Sequence, residues 1–528
     1  TVFAMLSSPF GIILPPIFLL YDFCRGQRLR ALLTVHWPLI VLEVAMLPLL
    51  LVLLTDSGGG GVMIDYPELS LGERLLTMMR CLSDYSRNLI CPLWLNARYP
   101  HVATSSLGEA KVLWGIVILV AAVVFTWRRW KAGDRLIPFC AGWAFIAWLP
   151  VSNLVPISTF MADRYLYLPA VGIFIAVAFG VEQLTRNAKD PRRLIALVVI
   201  PVALAIVTIR RNADWRNSLT LWEASVRIEM SGVSLTMLGS SHEEVQDVAS
   251  ALDAYRRALE IAPDYPGANN NLGALLYTAG ELEKALPYFR RAVDLQENYP
   301  DALYNLGSTL SDLGQPEEGE PYLRTVLELE PKRAGAYNNL GLILKNRGES
   351  ADATAHFRRA IEYDPELPAA HYNLAHLLFR ANDYAAALPH FTYALGTRPE
   401  YAAGQFLLGV CHQRLGNDSD AIAQFRIVLE LKPGSIEALS AIAWLLATQA
   451  NADSAEAREF ANSAVRLTEG KDFAALDALA AAQAAAGDFA AAVATGERAL
   501  ALAPTSLHGE IRARIDGYRE QKPYRRGE

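Results

Sequence analysis

The sequence predicts an all-α protein in two parts: a polytopic bundle of transmembrane helices over residues 1–209, then an α-solenoid of stacked helix pairs. Three observations carry this. Long apolar runs recur through the first 209 of 528 residues, each near the ~20 residues a helix needs to cross the hydrocarbon. A motif recurs every 34 residues in the second part. Charge is also divided: residues 1–209 hold 17 Lys/Arg against 12 Asp/Glu, and residues 210–528 hold 31 against 43. The acidic half would repel phosphate, which disfavours a nucleic-acid partner. Cysteines at 24, 81, 91, 140 and 411 have no CxxC or metal-ligand spacing, so neither a disulfide framework nor a metal site is expected. The chain begins at Thr1 with no basic n-region, which predicts a fragment of a longer protein.

Taken in order, spans are expected at about 3–21, 31–54, 110–127, 136–157, 165–184 and 194–209. Trp127, Trp130, Trp143 and Trp148 fall near their ends, as interfacial aromatics do. Alternate short loops carry eleven basic residues (Arg25, Arg28, Arg30; Arg128, Arg129, Lys131, Arg135; Arg186, Lys189, Arg192, Arg193), whereas the opposite loop 158–164 has only Arg164. The basic side should be cytoplasmic, which places residue 210 onward in periplasm or lumen and the protein in an inner or plasma membrane. Residues 73–94 differ: Leu75, Met79, Leu82, Ser86, Leu89 and Leu93 share one helical face, with Arg80, Asp84 and Arg87 opposite. This predicts an amphipathic interfacial helix after a flexible Gly58–Gly61 loop, either a lid on the bundle or a substrate-contacting element. Glu43 lies ~18 Å along a helix beginning near residue 31, close to mid-bilayer, so it should be protonated, paired or facing a wet cavity.

Residues 210–231 read as a linker, 232–506 as about eight repeats, and 507–528 as an amphipathic cap or tail. Asn271-Leu-Gly, Asn305-Leu-Gly, Asn339-Leu-Gly and Asn373-Leu-Ala keep the 34-residue phase. Small residues follow at Ala285, Gly319, Ala353, Ala387 and Ala421, then Phe289, Leu323, Phe357, Phe391 and Phe425. Pro331, Pro365, Pro399 and Pro433 close the units. The pattern resembles the tetratricopeptide repeat (TPR) at nearly every signature position, which implies paired helices A and B in contact through the small residues. The seventh unit, 436–472, is about three residues long for the phase. No P-loop, nucleophile elbow or HExxH is present, and His356, His371, His376, His390 and His412 read as surface or groove residues.

In a TPR solenoid the sixth position of helix A faces the concave groove. Asn271, Asn305, Asn339 and Asn373 hold it here, in a column that resembles the asparagine ladder of the O-linked N-acetylglucosamine transferase superhelix. Side-chain amides suit bidentate contact with an extended polypeptide backbone; the same column is also simple repeat consensus.

The stretch Ala162-Asp163-Arg164-Tyr165-Leu166-Tyr167-Leu168-Pro169 falls at the expected outer mouth, after Leu149-Pro150-Val151-Ser152-Asn153. Together with Leu14-Pro15, Leu20-Tyr21-Asp22, Pro92-Leu93-Trp94-Leu95 and the segment Asn212 to Trp222, it resembles the transmembrane and tetratricopeptide-repeat-containing family. That resemblance implies the later helices of a GT-C-type membrane domain and a protein O-mannosyltransferase-like activity. It also implies a polyprenyl-phosphate sugar as donor, and a catalytic carboxylate in a first outer loop ahead of Thr1. Asp163, Arg164, Tyr165 and Tyr167 are then candidates at the mouth. Arg164 either holds the donor phosphate bidentately or snorkels to lipid headgroups and ties down Asp163. Asp163 either pairs with Arg164 or caps the next helix. No cofactor is expected within the chain. Two functions follow: sugar transfer to Ser/Thr of polypeptides recruited by the repeats, or a non-enzymatic membrane-anchored scaffold.

Overall fold

The computed structural model describes residues 14–24, 70–90, 104, 106–148, 167–185, 199, 202, 206, 209, 210, 213–449 and 454–526. Every described element is helical. The chain divides into two compact units, residues 1–305 and 306–528. Glu43, Gly58–Gly61 and the expected span 31–54 lie outside the described residues, as does all but scattered positions of the span 194–209.

The first unit opens with α1 (Leu14–Cys24), α2 (Leu71–Ile90), α3 (Ala110–Lys131), α4 (Leu136–Trp148) and α5 (Tyr167–Thr185). Among the described residues only α3 is long and apolar enough to cross a membrane; α4 and most of α5 are shorter apolar helices. At 22 residues α3 reaches about 33 Å. Its last turn carries Arg128, Arg129 and Lys131, which face the partial negative charge of the helix C-terminus. Arg129 is fixed by Asp134 at 2.5 Å, and Arg135 lies 3.8 Å over the Trp130 ring.

These helices approach through small residues. A Cβ on Gly115 of α3 would collide with the Met79 carbonyl of α2, so the two backbones touch there. A Cβ on Gly172 of α5 would meet the Cys140 carbonyl oxygen at 2.5 Å. Trp143 Nε1 donates to the Leu168 carbonyl at 2.9 Å, tying α4 to α5. The start of α2 is set by a capping box: the Ser70 N–H donates to Glu73 at 2.9 Å and the Glu73 N–H to Ser70 Oγ at 3.3 Å. The polar face of α2 is pinned to the start of α3 by Arg80–Glu109 and Lys111–Asp84, both at 3.0 Å.

The expected linker contains a helix, α6 (Ser218–Ile228), begun by a capping box between Asn217 and Thr220. Helix pairs follow: α7 (Gly232–Glu244) with α8 (Val248–Ile261), and α9 (Pro266–Thr278) with α10 (Leu282–Leu295). Helix α11 (Pro300–Asp312) contains the boundary between units, and α12 (Pro316–Leu329) comes next. The second unit continues with α13 (Ala334–Asn346) and α14 (Ser350–Tyr363), α15 (Pro368–Arg380) and α16 (Tyr384–Gly396), α17 (Ala402–Arg414) and α18 (Asp418–Leu431). It ends with α19 (Ile436–Thr448) and α20 (Ser454–Leu467), α21 (Phe473–Ala485) and α22 (Phe489–Leu502), and α23 (His508–Arg519).

Four of the pairs are held by one recurring contact. A Cβ on Gly239, Gly273, Gly341 or Gly409 of the first helix would lie 2.5 to 2.7 Å from the ring of Tyr255, Phe289, Phe357 or Phe425 on the second. Those four rings are fully buried. The turn within a pair needs a left-handed residue, supplied by Gly280, Gly314, Gly348, Gly416 and Gly487 at φ of 77 to 84°. Asn382 and Gln246 take that place at φ 61° in two other pairs. The seventh pair lacks such a glycine: α19 ends in extended backbone at Gln449 (φ −69°, ψ 157°), where the lengthened repeat departs from the phase. Helix α23 packs rather than floats, with Ile511, Ile515 and Tyr518 buried.

Candidate functional site

Asp163, Arg164 and Tyr165 lie outside the described residues, and Tyr167 is the first residue of α5. The structure does show a cavity of about 920 Å³ among α2, α3, α4 and α5. Leu82, Tyr85 and Leu89 of α2, Ile118 and Phe125 of α3, Phe145 and Trp148 of α4, and Ile173 of α5 line it. Almost every wall is hydrocarbon or aromatic; Arg129 stands at its edge, already engaged by Asp134. An apolar chain fits such walls and a charged group does not. Sequence reasoning missed the cavity, although its signal was there: Leu82, Ser86 and Leu89 belong to the apolar stripe of the amphipathic helix, and all three face it.

Beside it, the pins between α2 and α3 form a charged cluster that reaches the start of the repeats. Burial raises the pKa of the Glu229 carboxyl; Lys111, Arg80 and Arg87 oppose that rise, and Asp84 adds to it.

The Asn column turns out to be a pair of polar ladders, one in each unit. In the first, Asn271 Nδ2 donates to Ser240 Oγ at 3.2 Å, Asn270 Nδ2 to Asn271 Oδ1 at 3.3 Å, and Asn305 Nδ2 to Asn270 Oδ1 at 2.9 Å. In the second, Asn339 Nδ2 donates to Ser308 Oγ at 2.7 Å, Asn338 Nδ2 to Asn339 Oδ1 at 3.1 Å, and Asn373 Nδ2 to Asn338 Oδ1 at 3.0 Å. The second repeats the first two repeat lengths further along the chain. Each ladder stitches the first helices of consecutive pairs, so these amides serve packing as well as any ligand. Ser240 Oγ also lies 3.0 Å from the Tyr255 hydroxyl, which donates to Glu243 at 2.5 Å. Burial, with the Glu243 carboxylate beside it, pushes the Tyr255 phenol up and keeps it a neutral donor. The column stops after Asn373 because the equivalent residue of α17 is Leu407, which has no amide to pass on.

In the histidine set, His371 and His390 meet, Nδ1 to Nδ1 at 2.9 Å, joining α15 to α16. Burial, then His371 and Arg358, hold the His390 pKa below the usual imidazole range. A depressed folded pKa means the unfolded chain binds the proton more readily. Stability should therefore be full above about pH 6.5 and fall as pH drops through and below that value. Hydrogen exchange should show α15 and α16 losing protection between pH 7 and 5, and His390→Gln should flatten that dependence. An unchanged slope in the variant would remove His390 as the cause.

The model of the tetratricopeptide repeat family matches residues 236–302, 304–368 and 372–436. These repeats are tetratricopeptide repeats. The chain is also homologous to protein O-mannosyl-transferases. It is 28% identical to Tmtc3 of Drosophila melanogaster over 256 residues, covering 47% of this chain and 27% of that protein. Against TMTC3 of Homo sapiens it is 28% identical over 131 residues, 24% of this chain and 14% of that protein. The chain thus spans about a quarter or less of the length of these relatives. Solved structures similar to it include pilF of Pseudomonas aeruginosa, at 22% identity and a TM-score of 0.36, covering 39% of this chain and 94% of that one. YrrB, described as a TPR protein with an unusual peptide-binding site, is 21% identical with a TM-score of 0.30, over 36% of this chain and 98% of that one.

Proposed function

We propose that this chain belongs to a membrane-embedded glycosyltransferase that moves a sugar from a polyprenyl-phosphate donor to Ser/Thr of polypeptides recruited by its TPRs. The observation that carries this is the homology over 47% of the chain to proteins named as O-mannosyl-transferases. The apolar cavity among α2–α5 supports it, since a polyprenyl chain needs a hydrocarbon-lined slot close to the bilayer edge. In this reading the six apolar stretches form a polytopic bundle with its basic loops cytoplasmic, and the TPRs work outside the cytoplasm. The donor phosphate stays at the mouth, held by the Arg164 guanidinium, while Asp163, Tyr165 and Tyr167 shape the entry. Lipid headgroups surround that mouth. No residue of this chain is assigned as general base.

The test is transfer of labelled sugar from polyprenyl phosphate to a Ser/Thr-containing peptide in membranes that carry the full-length protein. Transfer above membranes lacking it is expected; none would leave a membrane-anchored scaffold. Within an active protein, Arg164→Ala should weaken donor binding with folding intact. Arg164→Lys should rescue only partly, because Lys keeps the charge and loses the fork. Equal donor affinity in wild type and Arg164→Ala would leave Arg164 a structural role alone.

A further inference from the structure

Residues 520–526, after α23, do not trail into solvent. They turn back at Gln521 (φ 60°) and lie against the first helices of the sixth and seventh pairs. The Tyr524 ring packs 5.6 Å from that of Trp444 on α19. Arg514 of α23, held by Asp477 at 2.8 Å, stacks 5.0 Å over Trp444 and 5.7 Å from Tyr524, so the aromatic seat has a fixed wall. Arg525 Nη1 donates to the Ala447 carbonyl at 3.0 Å and the Gln449 carbonyl at 2.8 Å, at the C-terminal end of α19. The Arg526 N–H donates to the Thr448 carbonyl at 3.2 Å. The Arg526 guanidinium pairs with Asp418 at 2.5 Å and also meets the Gln413 carbonyl near the end of α17.

Every feature of this seat matches one kind of occupant. The last carbonyls of α19 and α17 carry partial negative charge and accept hydrogen bonds, as a guanidinium requires. Asp418 adds a full negative charge, and Trp444 offers a face to an aromatic ring. The occupant remains partly exposed: Tyr524 keeps 38% of its surface and the Arg526 side chain 32%. It stays in place because a short tether from α23 holds it at high effective concentration.

We propose that the face of α17 and α19 is a docking site for an extended polypeptide segment with an aromatic residue followed by two arginines. The chain's own Tyr524-Arg525-Arg526 fills the site as a tethered competitor that such a partner displaces. The inference rests on the reading that the repeats take extended polypeptide and is independent of sugar transfer. The Asn ladders lie on other repeats, so client binding there is scored separately.

The experiment measures fluorescence anisotropy of a labelled Lys-Pro-Tyr-Arg-Arg-Gly peptide. It is added to the intact chain, to a chain ending at Lys522, and to full-length Arg525→Ala/Arg526→Ala. The shortened and doubly substituted chains should bind the peptide at least tenfold more tightly than the intact chain. Trp444→Ala or Asp418→Lys, added to either, should abolish the gain, and a Lys-Pro-Ala-Arg-Arg-Gly peptide should bind weakly. The double substitution keeps chain length, so a folding defect of the shortened chain cannot decide the matter; hydrogen exchange over α19 and α23 reports folding in both. Equal binding to all three chains would overturn the proposal, and so would no binding to the vacated site with α19 and α23 still protected. Loss of sugar transfer with peptide binding preserved would count against the glycosyltransferase reading alone.

Discussion

Phe357→Ala should destabilise its repeat by about 3–5 kcal/mol, the range for deleting a fully buried aromatic ring. Phe357 is packed against Leu344, Leu374 and Leu377, so its loss opens a void shared by two consecutive pairs. Gly341→Leu attacks the same contact from the other side. Its Cβ alone would fall 2.6 Å from Phe357 Cε1, and the overpacking should cost about 1–3 kcal/mol. The two changes should not add. A leucine side chain at position 341 can occupy the space left by the missing Phe357 ring, so the double variant should be more stable than the sum of the two losses by about 1 kcal/mol or more. Because a TPR array couples mainly to its nearest neighbours, hydrogen-exchange protection should fall over α13–α16 first. Unchanged protection in Gly341→Leu would mean that the pair does not close on this glycine.

That contact was legible in the sequence because a 34-residue period fixes which small residue faces which ring, and packing rules supply the rest. The left-handed glycines at 280, 314, 348 and 416 recur with the same period, each just past the end of a first helix. Other features depend on geometry that no local pattern carries. The period shows that Asn271 and Asn305 are equivalent, but not that Asn270, one position earlier, is the relay between them; that depends on how consecutive first helices are offset. The segment from Lys522 to Arg526 reads locally as a solvated basic tail, yet Arg526 pairs with Asp418, 108 residues away. Helix α6 was missed inside the expected linker because Arg210, Arg211, Asn212 and Asp214 dominate its approach, although the Asn217-x-x-Thr220 box marks its start. In the first five helices, the stripe of α2 predicted its amphipathic face, whereas the cavity required knowing that α3, α4 and α5 stand opposite that face.

Replacing Asn271, Asn305, Asn339 and Asn373 together with alanine should cost stability as well as peptide binding. Each of the four donates one hydrogen bond to the neighbouring pair, and a net value of about 0.5–1.5 kcal/mol per bond gives a total of about 2–6 kcal/mol if they act independently. The loss should be shared between the ladders, because each contains two of the four. Asn373→Asp should be worse than Asn373→Ala for its size: Asn373 is only 8% exposed, and a carboxylate would set an acceptor against the Asn338 carbonyl oxygen. A primary amide carries two N–H groups, and the ladder takes one from each of these four residues. Peptide binding and helix stitching would then draw on the same amides. The two roles separate when both are measured on the same variant, by hydrogen exchange over α7–α16 and by affinity for an extended client peptide. Protection lost with affinity unchanged would make the column a structural stitch alone. Affinity lost by more than tenfold, while protection at Phe289 and Phe357 persists, would show that the amides also reach a ligand.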